Sequence, residues 1–208
     1  RRKREGSSMT LRKRATSPAL DKKEVLLKAA LELFTRKGYA ATSVREIVAA
    51  AGVTKPVLYY YFKNKEGIYL ALMEQLFSRL EPLMEASGPE SGSRQSLLLD
   101  KFDRAFGVIH ENSDLFRLMH AIYYGPPQGA PFFDFDSYHA RFHDLIARIV
   151  AQGIAAGEFR AGDPGDISWA LMGAGQVAIE EQLFGGHARI DRAMLRRILN
   201  VIFEGISV

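Results

Sequence analysis

The sequence of 208 residues contains no cysteine, which excludes disulfides, thiol nucleophiles and thiolate metal sites together and fits a reducing compartment. No apolar run approaches the roughly 20 residues that a membrane helix requires, and the basic N-terminus has no apolar stretch behind it to make a secretory leader. A soluble, cytoplasmic protein without membrane association is therefore expected. No segment alternates with period two for long enough to predict a strand. No glycine-rich phosphate loop or serine nucleophile elbow is present, so neither catalytic residues nor a cofactor is predicted. Apolar residues, at 47% of the chain, are numerous enough for a sizeable core.

Charge is unevenly placed. Residues 1–65 carry 16 Lys and Arg against 5 acids, a balance of +11, and the remainder carries 12 against 19, or −7. A basic segment beside an acidic one is expected when only one part of a chain meets a polyanion, because Lys and Arg gain by displacing counterions from phosphates. Residues 1–20 hold two basic clusters and little periodicity, which predicts a flexible basic arm.

The periodicity then turns helical. Val25, Leu26, Ala29, Ala30, Leu33 and Phe34 recur at three- and four-residue steps up to Gly38, where a helix is expected to stop. Ser43 with Glu46 predicts a capping box, and the short helix that follows ends at Gly52. Thr54 is expected to cap a third helix, KPVLYYYF, with Pro56 in its first turn. Asn64 opens a fourth helix running to about Ala86. Further helices are predicted at roughly 93–111, 113–124, 132–156, 164–184 and 188–206, separated by Gly- and Pro-rich breaks. The predicted fold is all-α: an N-terminal three-helix helix-turn-helix domain followed by an antiparallel helical regulatory domain, about nine helices in all. The expected organisation is a flexible arm over 1–20, a helix-turn-helix domain over 21–66, and a helical domain over 67–208, to which the resemblance described next assigns effector binding and dimerisation.

In the helix-turn-helix, Gly52 permits the turn while Ile47, Val53 and Leu58 lock the second and third helices together, leaving the third able to enter a major groove. The segment LKAALELFTRKGYAATSVREIVAAAGVTKPVLYYYFKNKEGIYLALM, Leu27 to Met73, resembles the DNA-binding domain of the TetR family. The resemblance implies a transcriptional regulator, most often a repressor released from a palindromic double-stranded operator by a small-molecule effector. It implies that Thr42 and Ser43 meet backbone phosphate and that Arg45 reaches a base edge. Thr54 would touch phosphate, Lys55, Pro56 and Val57 would face the groove, and Tyr59, Tyr60 and Tyr61 would lie across its walls. Lys65, at the start of the fourth helix, would complete a phosphate clamp. Three consecutive tyrosines cannot share one helical face, so one is expected to pack inward.

Beyond residue 86 the resemblance implies a pocket enclosed by helices, with Phe106, Arg117, His120, Tyr123, His139, Phe142, His143, Trp169 and Gln176 as candidate lining. It also implies a homodimer built on the last two helices. Gly173, Ala174 and Gly175 allow close approach there, while Leu195, Ile198, Leu199, Ile202 and Phe203 form an apolar face. Two alternatives remain open. His139 and His143, four apart on one helical face, could begin a metal site or an enzyme, although HARFHD lacks the glutamate of the HExxH pattern. The basic arm could instead make the chain a nonspecific nucleic-acid binder.

Overall fold

The computed structural model describes residues 18–85, 92–184 and 190–206, and among them nine α-helices and no strand. The helices are α1 (Pro18–Lys37), α2 (Val44–Ala50), α3 (Lys55–Phe62), α4 (Lys65–Leu80), α5 (Arg94–Glu111), α6 (Ser113–Tyr123), α7 (Phe135–Ala155), α8 (Pro164–Phe184) and α9 (Arg192–Ile206). The predicted arm lies outside the described residues except at its end, where α1 begins at Pro18 rather than Asp21. The fourth helix is also shorter than its periodicity suggests. Pro82 cannot donate to a helical ladder, and a single 3-10 turn over Glu81–Met84 takes over after Leu80.

The first three helices owe their ends to local chemistry. Gly38 takes φ +85° and Gly52 φ +63°, conformations that cost an L side chain more than glycine, so the chain turns sharply after α1 and after α2. Ser43 and Glu46 form the reciprocal capping box, with the Ser43 N–H donating to Glu46 Oε2 at 2.8 Å and the Glu46 N–H to Ser43 Oγ at 3.3 Å. Asn64 Oδ1 accepts from the Gly67 N–H at 2.8 Å and starts α4. The start of α5 is capped from far away in sequence: both oxygens of Glu158 accept backbone N–H groups, from Arg94 at 2.7 Å and Gln95 at 2.8 Å, placing a carboxylate on a helix N-terminus.

Two hydrophobic cores result. The first joins one face of α1 (Leu26, Ala30, Phe34) to Ile47 of α2, Leu58 and Phe62 of α3, and Ile68, Leu72 and Leu76 of α4. It does not stop at the end of the helix-turn-helix, because Leu115, Phe116 and Leu118 of α6 and Leu183 of α8 belong to it, and α6 packs on both α1 and α4. The second core is built by α5, α7, α8 and α9 around Leu98, Phe102, Ile146, Leu171, Leu199 and Phe203. Each fully buried Leu or Phe contributes about 2 to 3 kcal/mol of transfer free energy. Lys101, buried on α5, is compensated by donating to the carbonyls of Leu83 at 3.1 Å and Glu85 at 2.5 Å, which pins the 3-10 turn against α5.

The connection between α6 and α7 reaches back to the N-terminal helices. Gln128 Oε1 accepts from the Tyr39 N–H at 2.9 Å, and a Cβ at Gly38 would lie 2.8 Å from that same oxygen. The glycine therefore serves both the turn and this close approach. Phe133 of the same connection stacks on Phe77 of α4 with ring centroids 5.0 Å apart.

Candidate nucleic-acid interface and a cavity between the cores

The third helix is held from one side only. Leu58 and Phe62 are buried in the first core, Val57 and Tyr61 are half-buried against it, and Lys55, Pro56, Tyr59 and Tyr60 point outward. Tyr60 is 81% exposed and Tyr59 48%, so the inward tyrosine of the three is Tyr61, whose ring meets Tyr60 edge-on at 4.9 Å. A helix with exposed aromatic and cationic groups on one face and two buried anchors on the other is a probe braced from behind. Among the described residues Arg45 of α2 and Lys55 form no hydrogen bond or ion pair. The acid nearest in sequence to Arg45, Glu46, is instead taken by Lys37 at 2.5 Å. That hydrogen bond, with those from Ser43, holds the Glu46 carboxyl down at about 2.

Two residues assigned to phosphate by the resemblance, Thr42 and Lys65, are placed differently, and Thr54 lacks the expected cap bond. Thr42 is 2% exposed and its hydroxyl donates to the Gly38 carbonyl at 2.8 Å, so the side chain braces the turn after α1 instead of meeting a phosphate. Lys65 Nζ donates to the carbonyls of Tyr39 at 2.9 Å and Thr42 at 3.0 Å and lies 4.1 Å from the Tyr39 ring centre; desolvation lowers its pKa. It is a strut between α4 and the α1–α2 turn with two of its three donors committed. Thr54 occupies the N-cap position of α3 but its side chain makes no capping hydrogen bond, which leaves an exposed hydroxyl facing outward with the α3 surface. Ser43 is exposed as well, with its hydroxyl donating to Glu46 at 2.8 Å.

Between the two cores lies a cavity of about 190 Å³. Its wall takes Phe77 and Leu80 from α4, Phe102 and Phe106 from α5, Phe116, Met119, His120 and Tyr123 from α6, Tyr138, His139 and Phe142 from α7, and Gln176 and Ile179 from α8. Of the nine lining residues expected from sequence, Phe106, His120, Tyr123, His139, Phe142 and Gln176 meet here. Three do not. The Arg117 guanidinium turns away, its Nε donating to the Leu183 carbonyl at 2.9 Å and its Nη1 pairing with Asp114 at 2.9 Å. His143 and Trp169 stack on each other outside the wall, with ring centres 4.5 Å apart. His139 lines the cavity while its ring also lies 5.6 Å from that of Trp169, and no group of three His, Asp or Glu side chains among the described residues is placed to hold a metal ion.

Residues 26–72 match the family model described as bacterial regulatory proteins, tetR family. This is the segment that contains α2, the Gly52 turn and the exposed α3. That segment belongs to the tetR family of bacterial regulatory proteins. It is 33% identical over 108 residues to the uncharacterised HTH-type transcriptional regulator YdgC of Bacillus subtilis, an alignment covering 49% of this chain and 54% of YdgC. The match thus spans only about half the length of that relative. With the HTH-type transcriptional repressor KstR2 of Rhodococcus jostii the identity is 24% over 199 residues, covering 92% of this chain and 94% of the repressor. A crystal structure of a tetR-family regulatory protein from Rhodococcus RHA1 superposes with TM-score 0.69 at 23% identity, covering 92% and 98% of the two chains. At that identity the likeness shows the TetR-family fold alone.

The last two helices correct the expectation from sequence in one respect. Leu195, Leu199 and Phe203 are buried inside the protomer, Phe203 completely, and Ile198 and Ile202 are half-buried against the same core. Spacing could show that α9 has an apolar stripe but not that α5 and α8 already cover it. The outward apolar groups are instead Trp169, Val177 and Phe184 of α8, with Gly173 exposed between them, and Val201 of α9. The signal was present in the sequence: α8 is apolar around its whole circumference, so a single buried stripe cannot satisfy it. No helix among the described residues is long and apolar enough to cross a membrane.

Proposed function

We propose that the protein is a homodimeric, cytoplasmic transcriptional repressor, with residues 21–66 reading a palindromic double-stranded operator and residues 67–208 sensing a small molecule and forming the dimer. The observation that carries this reading is the outward face of α3, on which Lys55, Pro56, Tyr59 and Tyr60 stand exposed while Leu58 and Phe62 anchor the helix from behind. In this reading Arg45 and Lys55 supply base and phosphate contacts, and Ser43, Thr54, Tyr59 and Tyr60 flank them. A third N–H of Lys65 remains for phosphate. Dimerisation through the exposed face of α8 around Gly173 and Val177, with Val201 of α9, would present two copies of α3 about one DNA turn, roughly 34 Å, apart.

Effector control follows from the position of the cavity. Helix α6 contributes Phe116, Met119, His120 and Tyr123 to its wall while packing on α1 and α4, so a molecule that fits one arrangement of α6 better than another biases the spacing of the reading heads. A molecule with equal affinity for both arrangements would do nothing. Selection of bound sequences from a random duplex pool with the purified chain tests the reading. Enrichment of an inverted repeat with half-sites one turn apart is expected; enrichment of no sequence, or of single half-sites only, would overturn it.

A further inference from the structure

The wall of the cavity has a chemistry as well as a shape. It contains no Lys, Arg, Asp or Glu. Four cations of the wall helices are held elsewhere: Lys101 by the carbonyls of Leu83 and Glu85, Arg117 by Asp114 and the Leu183 carbonyl, Arg141 by Glu81, and Arg79 by Asn112. Helix α8 has neither Lys nor Arg in its 21 residues. A carboxylate or phosphate entering this space would lose its hydration and meet no cation in exchange.

One end of the cavity has the opposite character. The rings of His120 and Tyr124 lie 4.6 Å apart and those of Tyr123 and Tyr124 4.7 Å apart, all three residues belonging to the wall. Two carboxylates stand directly behind them. Asp136 accepts a hydrogen bond from the Tyr123 hydroxyl, and Glu180 accepts from Gln176 Nε2 at 3.0 Å and lies 3.7 Å from His120 Nε2. Burial first, then Glu180 and Asp136, raise the Tyr124 pKa, and the hydrogen bond to Asp136 pushes Tyr123 up to about 12. Both phenols therefore stay neutral, with their electron-rich faces intact.

Resting on the reading of the cavity as the effector site, we propose that its ligand is a lipophilic cation: an apolar body among Phe77, Phe102 and Phe106, and an ammonium group against the His120, Tyr123 and Tyr124 rings in the field of Asp136 and Glu180. Aromatic faces attract an ammonium; Tyr123 and Tyr124, 40% and 56% exposed, place it at the solvent-facing end of the cavity, and the carboxylates beside them supply the balancing charge without entering the lumen. The net charge of −7 over residues 66–208 acts in the same direction. The size suits a small aromatic body, since a dry cavity of about 150 Å³ already accepts benzene.

The test uses three probes with one body and different heads: phenyltrimethylammonium, tert-butylbenzene and benzoate. Each is titrated calorimetrically into the full chain at about pH 8. The ammonium is expected to bind about tenfold more tightly than its uncharged isostere, and benzoate most weakly. Glu180→Gln and Asp136→Asn should each weaken the ammonium severalfold while leaving tert-butylbenzene unchanged. Benzoate binding as tightly as the ammonium, equal weakening of all probes by either substitution, or no binding of the ammonium would overturn the proposal. Operator affinity measured in parallel separates the two readings. Selective ammonium binding that leaves DNA affinity unchanged supports this ligand class and counts against effector release, whereas release by benzoate supports effector control and overturns the cation.

Discussion

The two halves of the molecule use their charges in opposite ways. In the N-terminal helices Arg45 and Lys55 stand outward without partners among the described residues, while the acid beside Arg45 is diverted to Lys37. Around the cavity four cations are tied down, by carboxylates at Arg117 and Arg141 and by carbonyl or amide oxygens at Lys101 and Arg79. Free cations beside an exposed helix suit a partner that is a polyanion, and satisfied cations around an aromatic space suit a small partner that is not. The contrast separates what each half recognises, although the two halves share α6 through the first core.

The contrast breaks most visibly on α8 and α9. Phe203→Ala removes a fully buried ring from the second core and should cost about 3 to 5 kcal/mol of stability in chemical denaturation. Val177→Asp, on the exposed face of α8, should leave each protomer as helical as before and shift sedimentation from dimer to monomer. Were Val177→Asp to unfold the protein and Phe203→Ala to dissociate it, the assignment of core and interface would be inverted.

In the reading head, Arg45→Ala should cost about 1 to 3 kcal/mol of discrimination between the selected operator and a single-base variant, without moving the thermal midpoint, because the guanidinium has no partner in the described structure to lose. A smaller effect concerns acid. The Glu46 carboxyl is held at about 2 against an ordinary value of 4.5. A depressed folded-state pKa contributes stability that is present above the ordinary value and lost as pH falls through the depressed one. Helix α2 should therefore weaken as pH falls from about 4.5 toward 2, and Glu46→Gln should flatten that part of the profile followed by circular dichroism.

The parts legible in the sequence are those fixed over a few residues. The capping box of Ser43 and Glu46, the turn at Gly52, the burial of Leu58 and Phe62 and the breaks between helices all follow from local spacing. What spacing does not reveal depends on distant partners. Leu195, Leu199 and Phe203 present an apolar stripe whose use as core or interface is decided by α5 and α8. Lys65 and Thr42 have the composition of phosphate contacts, but backbone carbonyls capture them once the α1–α2 turn closes on α4. The cap of Glu158 on α5 and the bond from Tyr39 to Gln128 span 63 to 89 residues, beyond any periodicity. In the cavity, six of the residues that the resemblance offered as lining stand in the wall, but Arg117, His143 and Trp169 turn away, because each finds a partner outside it.

The central claim is that the outward face of α3 reads DNA while its inward face only holds it in place. A titration of the selected duplex by fluorescence anisotropy, with the unaltered chain and with Lys55→Ala combined with Tyr60→Ala, tests this directly when the thermal midpoint of each is measured on the same samples. The account predicts at least a tenfold loss of affinity at an unchanged midpoint, since each exposed contact of this kind is worth about 1 kcal/mol or more. Equal affinity of the two proteins for the duplex would contradict it.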